Sequence, residues 1–316
     1  MYGAIIGDIV GSKYEFHNIK TKDFPFVSPG CSYTDDSIMT VAVASALLKT
    51  REEMSKGKAV ADFRRNLIGE MQALGRRFLH PQGGYGGRFS AWLRATDPQP
   101  YNSYGNGSAM RVSPCGLIAV TLEEALALAK ASAEVTHNHP EGIKGAQAVA
   151  AAIFLARIRK SKEEIGAYLR KNFYPLDRTL DEIRLDYGFS ESCQKTVPEA
   201  ITAFLESTSY EDAIRNAISL GGDSDTLGAI TGAIAWSYYR FNTNESGPDY
   251  WKKSGTIWPQ WCEDLIREYR IDDMLPPDFV DLIERFDEAR MLRMGTLGRL
   301  GYCTPILPEC QPLTED

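Results

Sequence analysis

Apolar residues recur three and four positions apart along most of the chain, and strict alternation is almost absent, so the pattern predicts helices and few strands. The stretch after Ser209 shows the rule: Ala213, Ile214, Ala217 and Ile218 share one face before Gly221 and Gly222 end the run. Helix starts are marked by Thr121 with Glu124, Ser161 with Glu164 and Ser209 with Asp212, each spaced as in a capping box. Pro140 and Pro198 stand where first helical turns are expected to begin. Two predicted helices, Ile38 to Leu48 and Leu227 to Trp236, are apolar nearly all round, which places them at the centre of a bundle. In the second, Gly228 with Gly232 and Ala229 with Ala233 allow close backbone approach. The segment Asn242 to Gly255 reads as a long surface loop. Helices are expected again near Cys262 to Tyr269 and Phe279 to Arg290, and the proline-bearing end from Gly301 reads as an extended tail.

Composition narrows the setting. The chain has 316 residues, 43% of them hydrophobic, enough for one large core or two modest ones. It has no run of about 18 apolar residues, and Met1 to Val10 is not a basic leader with a cleavage site, so a soluble, cytoplasmic protein is expected. Cys31, Cys115, Cys193, Cys262, Cys303 and Cys310 are scattered singly, as reduced thiols would be. A net charge of −7 disfavours general nucleic-acid binding.

The candidate chemistry lies where the two central helices begin. Thr34, Asp35 and Asp36 immediately precede one; Asp223, Asp225 and Thr226 precede or open the other. Helix capping accounts for one Asp per helix but not for two. If the two starts meet, each like-charged pair at about 4 Å costs ~4 kcal/mol at an effective dielectric near 20, so a cation is required. Oxygen-only donors with threonine hydroxyls suit Mg²⁺ first and Mn²⁺ or Ca²⁺ next, whereas zinc prefers His and Cys.

Three further stretches carry polar groups. In GDIVGSKYEF, Gly7, Asp8 and Gly11 precede Glu15 without forming a dinucleotide fingerprint or a P-loop. The glycines read as a tight helix or turn, and Asp8 as a cap or an interhelical acceptor. In NSYGNGSAMR, Ser103, Tyr104, Gly105, Asn106, Gly107 and Ser108 offer hydroxyls and a closely approachable backbone suited to phosphate oxygens, although Asn106 and Gly107 are equally a common turn pair. His137 and His139 form an HxH without a third His or Cys nearby, which argues against zinc.

Taken together, GDIVGSKYEF, YTDDSIMT, YGNGSAMR, THNHPEG and SLGGDSDTLGAITGAIA resemble the ADP-ribosylglycohydrolase family, in the family's order, from residue 3 to about residue 239. The resemblance implies an all-α orthogonal multi-helix bundle with a binuclear Mg²⁺ centre at the N-termini of central helices. Its ligands would be Thr34, Asp35, Asp36, Asp223, Asp225 and Thr226, with Mn²⁺ a possible substitute. Glu15 matches the family's mobile glutamate. Ser103, Gly105, Asn106 and Gly107 fall on its diphosphate loop, with Ser108 beside them; Tyr104 falls on the aromatic that stacks adenine, and His137 on a ribose-side contact. The family-like domain is expected over 1–290, with an atypical segment at 240–262 and a C-terminal extension at 291–316.

The implied reaction is hydrolysis of the glycosidic bond between ADP-ribose and a modified group, on a protein or on a small conjugate. Such hydrolysis passes through an oxocarbenium-like state, so water, ribose hydroxyls and the leaving group must all be positioned. Glu15, Asp35, Asp36 and Asp225 are the candidate catalytic acids, with Asp36 or Glu15 handling protons. Arginine, serine, an O-acyl or phosphate group and a nucleobase all stay open as leaving groups. GGYGGRFSAWL, expected to line the mouth, contains no acid to receive arginine, and Arg88 is expected to be exposed. Two alternatives are a metal-dependent phosphohydrolase using Asp223, Asp225 and Thr226, and a noncatalytic ADP-ribose-binding protein. The first would place its acids after a strand; the second has no use for six ligand-type residues.

Overall fold

Every residue of the first helix, α1 (Tyr2–Ser12), is buried, and glycine makes this possible. In this computed structural model, which describes residues 1–55, 62–242 and 259–300, α1 runs antiparallel to α13 (Ser224–Phe241), the last of the thirteen helices that the described residues form before residue 243. A Cβ placed on Gly7 would stand 2.0 Å from the Gly228 carbonyl oxygen, one on Gly3 2.4 Å from that of Gly232, and one on Gly11 2.2 Å from that of Ser224. The two helices therefore meet backbone to backbone. The pair Gly228 and Gly232 allows close approach as expected; what it approaches is the Gly3, Gly7 and Gly11 face, of which the sequence had suggested only Gly7 and Gly11, as a tight helix or turn.

Helix α2 (Asp35–Ser55) is the second central helix and is apolar around its middle turns, with Ile38 to Ala44 entirely buried. It packs on α3 (Phe63–Arg77), which leads through α4 (Gly87–Arg94) and two short helices, α5 (Gly107–Met110) and α6 (Ser113–Ile118), to α7 (Leu122–Glu134). Then α8 (Pro140–Arg157) supports both α7 and α13. Helices α11 (Cys193–Leu205) and α12 (Tyr210–Ile218) pack on α13, while α9 (Lys162–Asn172) lies against α8 and α11 and α10 (Leu180–Asp186) against α11. The predicted apolar face of α12 is wholly buried. No strand occurs among the described residues, which contain only the isolated bridges Thr34 to Gln82 and Gly105 to Ser192.

The helix starts follow the side chains that satisfy free backbone N–H groups. Thr121, Ser161 and Ser209 each accept from the N–H three residues on, and at Ser161 the reciprocal bond from Glu164 is present too. Pro140 opens α8 as expected. Pro198 does not open a helix: α11 begins at Cys193, whose N–H is bound by the Tyr104 carbonyl at 3.0 Å. The carbonyl of Gln194, deprived of its donor by Pro198, belongs to an exposed residue that water can solvate.

After α13, the expected loop from Asn242 lies, beyond that residue, outside the described residues, as does the tail from Gly301. Trp261, at the end of the atypical segment, packs its ring 5.1 Å from Trp236. It begins the helical end of the fold, α14 (Gln260–Glu268), a 3₁₀ turn (Ile271–Met274) and α15 (Pro277–Leu300). Helix α15 continues beyond Arg290, where a helix end was expected, and Arg293 remains buried, with Nη2 2.6 Å from Glu124 Oε1 and Nη1 donating to the Ile118 carbonyl at 3.1 Å. Asp287 lies between Arg240 and Arg290 in the same buried seam. No helix among the described residues is long and apolar enough to cross a membrane.

The glycine contact makes opposite predictions for two helical glycines. Alanine normally favours a helix interior by about 1 kcal/mol over glycine, and Gly69 of α3 has nothing within 4 Å of an added Cβ. Gly69→Ala is expected to raise the melting temperature. Gly7→Ala meets main chain, and overpacking of roughly 1–3 kcal/mol or more outweighs the propensity gain, so its melting temperature is expected to fall.

Candidate active site

Two helix starts meet on one cavity floor. Asp35 and Asp36 open α2, while Asp223 is the N-cap residue of α13 and Asp225 lies in its first turn. Thr226 Oγ1 donates to Asp36 Oδ2 at 3.3 Å and joins the two starts. From α1, Asp8 accepts from the N–H groups of Thr34 and Ser37 at 2.9 and 3.1 Å, from the Thr34 hydroxyl at 2.7 Å and from the Ser37 hydroxyl. Asp8 is thus at once an interhelical acceptor and a cap of α2, both of the roles expected for it. Burial raises its pKa to about 6, against the pull of those four donors. Thr34 is turned towards Asp8, accepts from the Asp36 N–H at 3.1 Å and does not line the cavity.

Glu15 arrives from the loop after α1. Carboxylate oxygens of Glu15, Asp223 and Asp225 lie within 4.8 Å of one another. Gly83, with φ +78°, leaves room for Glu15, since a Cβ there would fall 2.7 Å from Glu15 Oε2. Asn18 fastens this loop to the turn before α13: its Nδ2 donates to the Gly222 carbonyl at 2.8 Å and its Oδ1 accepts from the Gly222 N–H at 2.7 Å.

Burial, and then the charge of neighbouring acids, opposes ionisation throughout the cluster. The Glu15 carboxyl is pushed up to about 8 by burial, Asp225, Asp8 and Glu191. Burial raises Asp223 to about 6, despite hydrogen bonds that favour its charged form. Asp35, Asp36 and Asp225 lie well above the usual carboxylate range, for burial first and then for neighbouring carboxylates. Asp36 Oδ1 and Glu15 Oε2 are buried with no hydrogen-bond partner among the described residues. Orphaned carboxylate oxygens without His or Cys are a donor set that fits a hard divalent cation. His139 stays out of the cluster, because its Nδ1 accepts from the Glu141 N–H at 3.1 Å as the cap of α8.

The cavity, of about 510 Å³, rises from these acids to a polar wall of Ser103, Gly105, Asn106, Gly107 and His137. The wall is pinned by the Asn106 N–H to the Glu191 carbonyl at 2.7 Å, and by the Gly105 N–H to Ser103 Oγ at 3.1 Å. Asn106 Nδ2 donates to Asp223 Oδ2 at 2.7 Å, so the side chain holds a floor carboxylate as well as belonging to the loop. Two other expected contacts do not line the cavity. The Ser108 hydroxyl is buried and donates to the Gly142 carbonyl at 2.7 Å. Tyr104 is 52% exposed, with its ring edge-on to His139.

Residues of the GGYGGRF stretch do line the mouth, and Arg88 is exposed there, over the Tyr101 ring. The mouth also contains an acid that the sequence reading did not place. Glu191 is exposed on the loop before α11, near the exposed rings of Phe16 and Phe189, whose centroids are 6.2 Å apart. Phe16 could have been suspected from its position after Glu15. Phe189 and Glu191 sit in a stretch without a motif, and only the pairing of that loop with residues 105 and 106 brings them in.

The family model for ADP-ribosylglycohydrolase matches residues 1–270. Human ADP-ribosylhydrolase ARH3 is 27% identical, over 80% of this chain and 86% of its own. ADP-ribosylarginine hydrolase Tri1 of Pseudomonas putida is 26% identical, over 85% of this chain and 76% of its own. A solved chain from an ADP-ribosylglycohydrolase-related protein complex superposes with a TM-score of 0.58 at 22% identity, covering 80% of this chain and 89% of that one, which shows the shared all-α fold.

The acid cluster has a signature that does not depend on turnover. A carboxyl with a raised pKa keeps its proton in the folded state where the unfolded chain has lost it, so stability falls as pH rises. For Glu15 the window runs from about 4.5 to about 8. Chelator-treated protein is therefore expected to melt at lower temperature at pH 8 than at pH 5, and added divalent cation to stabilise it more at pH 8. A melting temperature indifferent to cation at both pH values would show that the cluster holds none.

Proposed function

The chain belongs to the ADP-ribosylglycohydrolase family, and from that membership we propose a Mg²⁺-dependent hydrolase, served also by Mn²⁺, that frees ADP-ribose from a modified group. The observation that supports this most is the convergence of Asp35, Asp36, Asp223, Asp225 and Glu15 on one cavity, with buried carboxylate oxygens lacking partners. Two ions would be held by Asp35, Asp36, Asp223, Asp225 and Thr226, and Thr34 would join them by turning its hydroxyl from Asp8 towards the cavity. When bound, they supply Lewis acidity and cancel the mutual repulsion of the acids.

The chain's own groups do the rest. Thr226 orients Asp36, and Asn106 orients Asp223. Glu15, on the loop that follows α1 rather than in a helix, or Asp36, with a free oxygen, takes the proton from the attacking water. The wall of Ser103, Gly105, Asn106, Gly107 and His137 receives the diphosphate and ribose. Tyr104, exposed beside that wall, offers its ring to adenine. The leaving group departs past Phe16, Phe189 and Glu191, where an acid and two aromatic rings lining the same cavity favour a planar cation such as a guanidinium.

Removal of metal with EDTA is expected to abolish release of ADP-ribose, and Mg²⁺ or Mn²⁺ to restore it. Asp225→Ala should lower kcat by orders of magnitude while ADP-ribose still binds. Tight binding of ADP-ribose by the wild type with no conjugate cleaved would favour the noncatalytic alternative, and phosphate release from generic phosphomonoesters the phosphohydrolase.

A substrate panel tests the mouth. Glu191→Gln should lower kcat/KM for an ADP-ribosylarginine conjugate by about tenfold, the size of one charge-assisted hydrogen bond, and by much less for an ADP-ribosylserine conjugate. Equal losses on both would remove Glu191 from leaving-group recognition.

A further inference from the structure

His137 is buried and borders the cavity, yet it is neither a floor carboxylate nor part of the loop it faces. Its Nε2 stands over the Gly105 to Gly107 stretch, where a Cβ on Gly107 would come within 3.2 Å and one on Gly105 within 3.4 Å. Among the described residues no group bonds this nitrogen. A neutral imidazole presents either a donor or an acceptor there, depending on which nitrogen carries the proton.

The other side of the ring decides between them. His137 Nδ1 lies 2.7 Å from Thr136 Oγ1, and Arg111 Nη2 lies 2.8 Å from that same oxygen. Arg111 is itself anchored, by Nη1 on the Gly107 carbonyl at 3.0 Å and Nη2 on the Ser132 carbonyl at 2.9 Å. A guanidinium only donates, so Thr136 accepts from it. The hydroxyl's single proton then has one acceptor in reach, His137 Nδ1. Were Nδ1 protonated instead, the hydroxyl of a fully buried threonine would point its proton at no acceptor, which is the costlier arrangement.

We propose that Arg111 and Thr136 are positioning residues that fix His137 as the Nε2–H tautomer, a neutral hydrogen-bond donor to an acceptor oxygen of the ligand. The ring stays uncharged because burial, and then Arg111 and Arg88, hold its pKa well below the ordinary value. The identity of the ligand oxygen, on diphosphate or ribose, rests on the function proposed above. The tautomer does not, and it can be read without ligand.

The test is long-range ¹H–¹⁵N correlation on histidine-labelled full-length protein, with His137 assigned by His137→Gln among the four histidines. In the wild type, Nδ1 is expected to show the shift of an unprotonated, hydrogen-bonded nitrogen and Nε2 that of a protonated one. Thr136→Val keeps the shape but removes the hydroxyl. Its ring shifts should move towards averaged values, and its Kd for ADP-ribose should rise roughly tenfold, as for one lost hydrogen bond. Thr136→Ser should restore both. A protonated Nδ1 in the wild type, unchanged ring shifts in Thr136→Val, or no rescue by serine would overturn the proposal. Wild type that shows the Nε2–H tautomer but binds no ADP-ribose would sustain the tautomer assignment and overturn the functional reading instead.

Discussion

The site depends on the absence of side chains between α1 and α13. Because Gly3, Gly7 and Gly11 lie directly on the α13 backbone, the helices cannot slide or rotate without a main-chain collision. Antiparallel packing in that register puts the C-terminal end of α1 beside the N-terminal end of α13, with Gly11 over Ser224 and Asp225. Two consequences follow within a few residues. Asp8, one position from Gly7, faces the start of α2 and caps it. Glu15, four positions beyond Gly11, reaches Asp223 and Asp225. One glycine face thereby assembles acids from three separate stretches of sequence.

Those acids differ in how fully the protein satisfies them, and that difference separates structure from chemistry. Asp8 has four donors around its two oxygens, so its charge is spent on holding α2. Asp36 accepts one long bond from Thr226 and leaves Oδ1 bare, and Glu15 leaves Oε2 bare. Burying such oxygens disfavours the folded state unless a cation arrives, since isolated carboxylates in a poorly solvated site are costly. The fold tolerates this because large apolar faces elsewhere on α2, α8 and α13 are fully buried. The buried seam of Arg240, Asp287 and Arg290 shows the opposite solution, where the protein supplies its own counter-ions.

Most of the helical architecture was legible because it rests on local rules: periodic apolar faces, threonine and serine caps, and two all-apolar central helices. The doubled acids at those helix starts were legible for the same reason, since capping needs only one. What escaped depends on pairing between distant segments. Gly7 and Gly11 read as a local turn or tight helix, and Gly3 carried no reading, because their partner face lies more than two hundred residues away. Pro198 read as a helix start because the tie from Cys193 to the Tyr104 carbonyl, which begins α11 earlier, has no local sign. Ser108 read as a ligand contact because it neighbours glycines, yet a short helix turns its hydroxyl to Gly142. Glu191 carried no motif at all.

The placement of positive charge completes the design of the cavity. A lysine or arginine reaching the carboxylate floor would satisfy the bare oxygens and compete with a metal for them. Arg111 is fully buried beside the cavity, but its hydrogen bonds run to Gly107, Ser132 and Thr136, away from the acids. It acts on the ligand space by holding the Gly107 carbonyl of the wall and, through Thr136, the neutral ring of His137. Arg88, the other guanidinium on the wall, is held over Tyr101 at the exposed end. The floor is therefore left to be neutralised by something other than the protein, while the wall offers neutral donors. A ligand with hydroxyls at one end and anionic oxygens further along can meet both without either end being drawn to the wrong place.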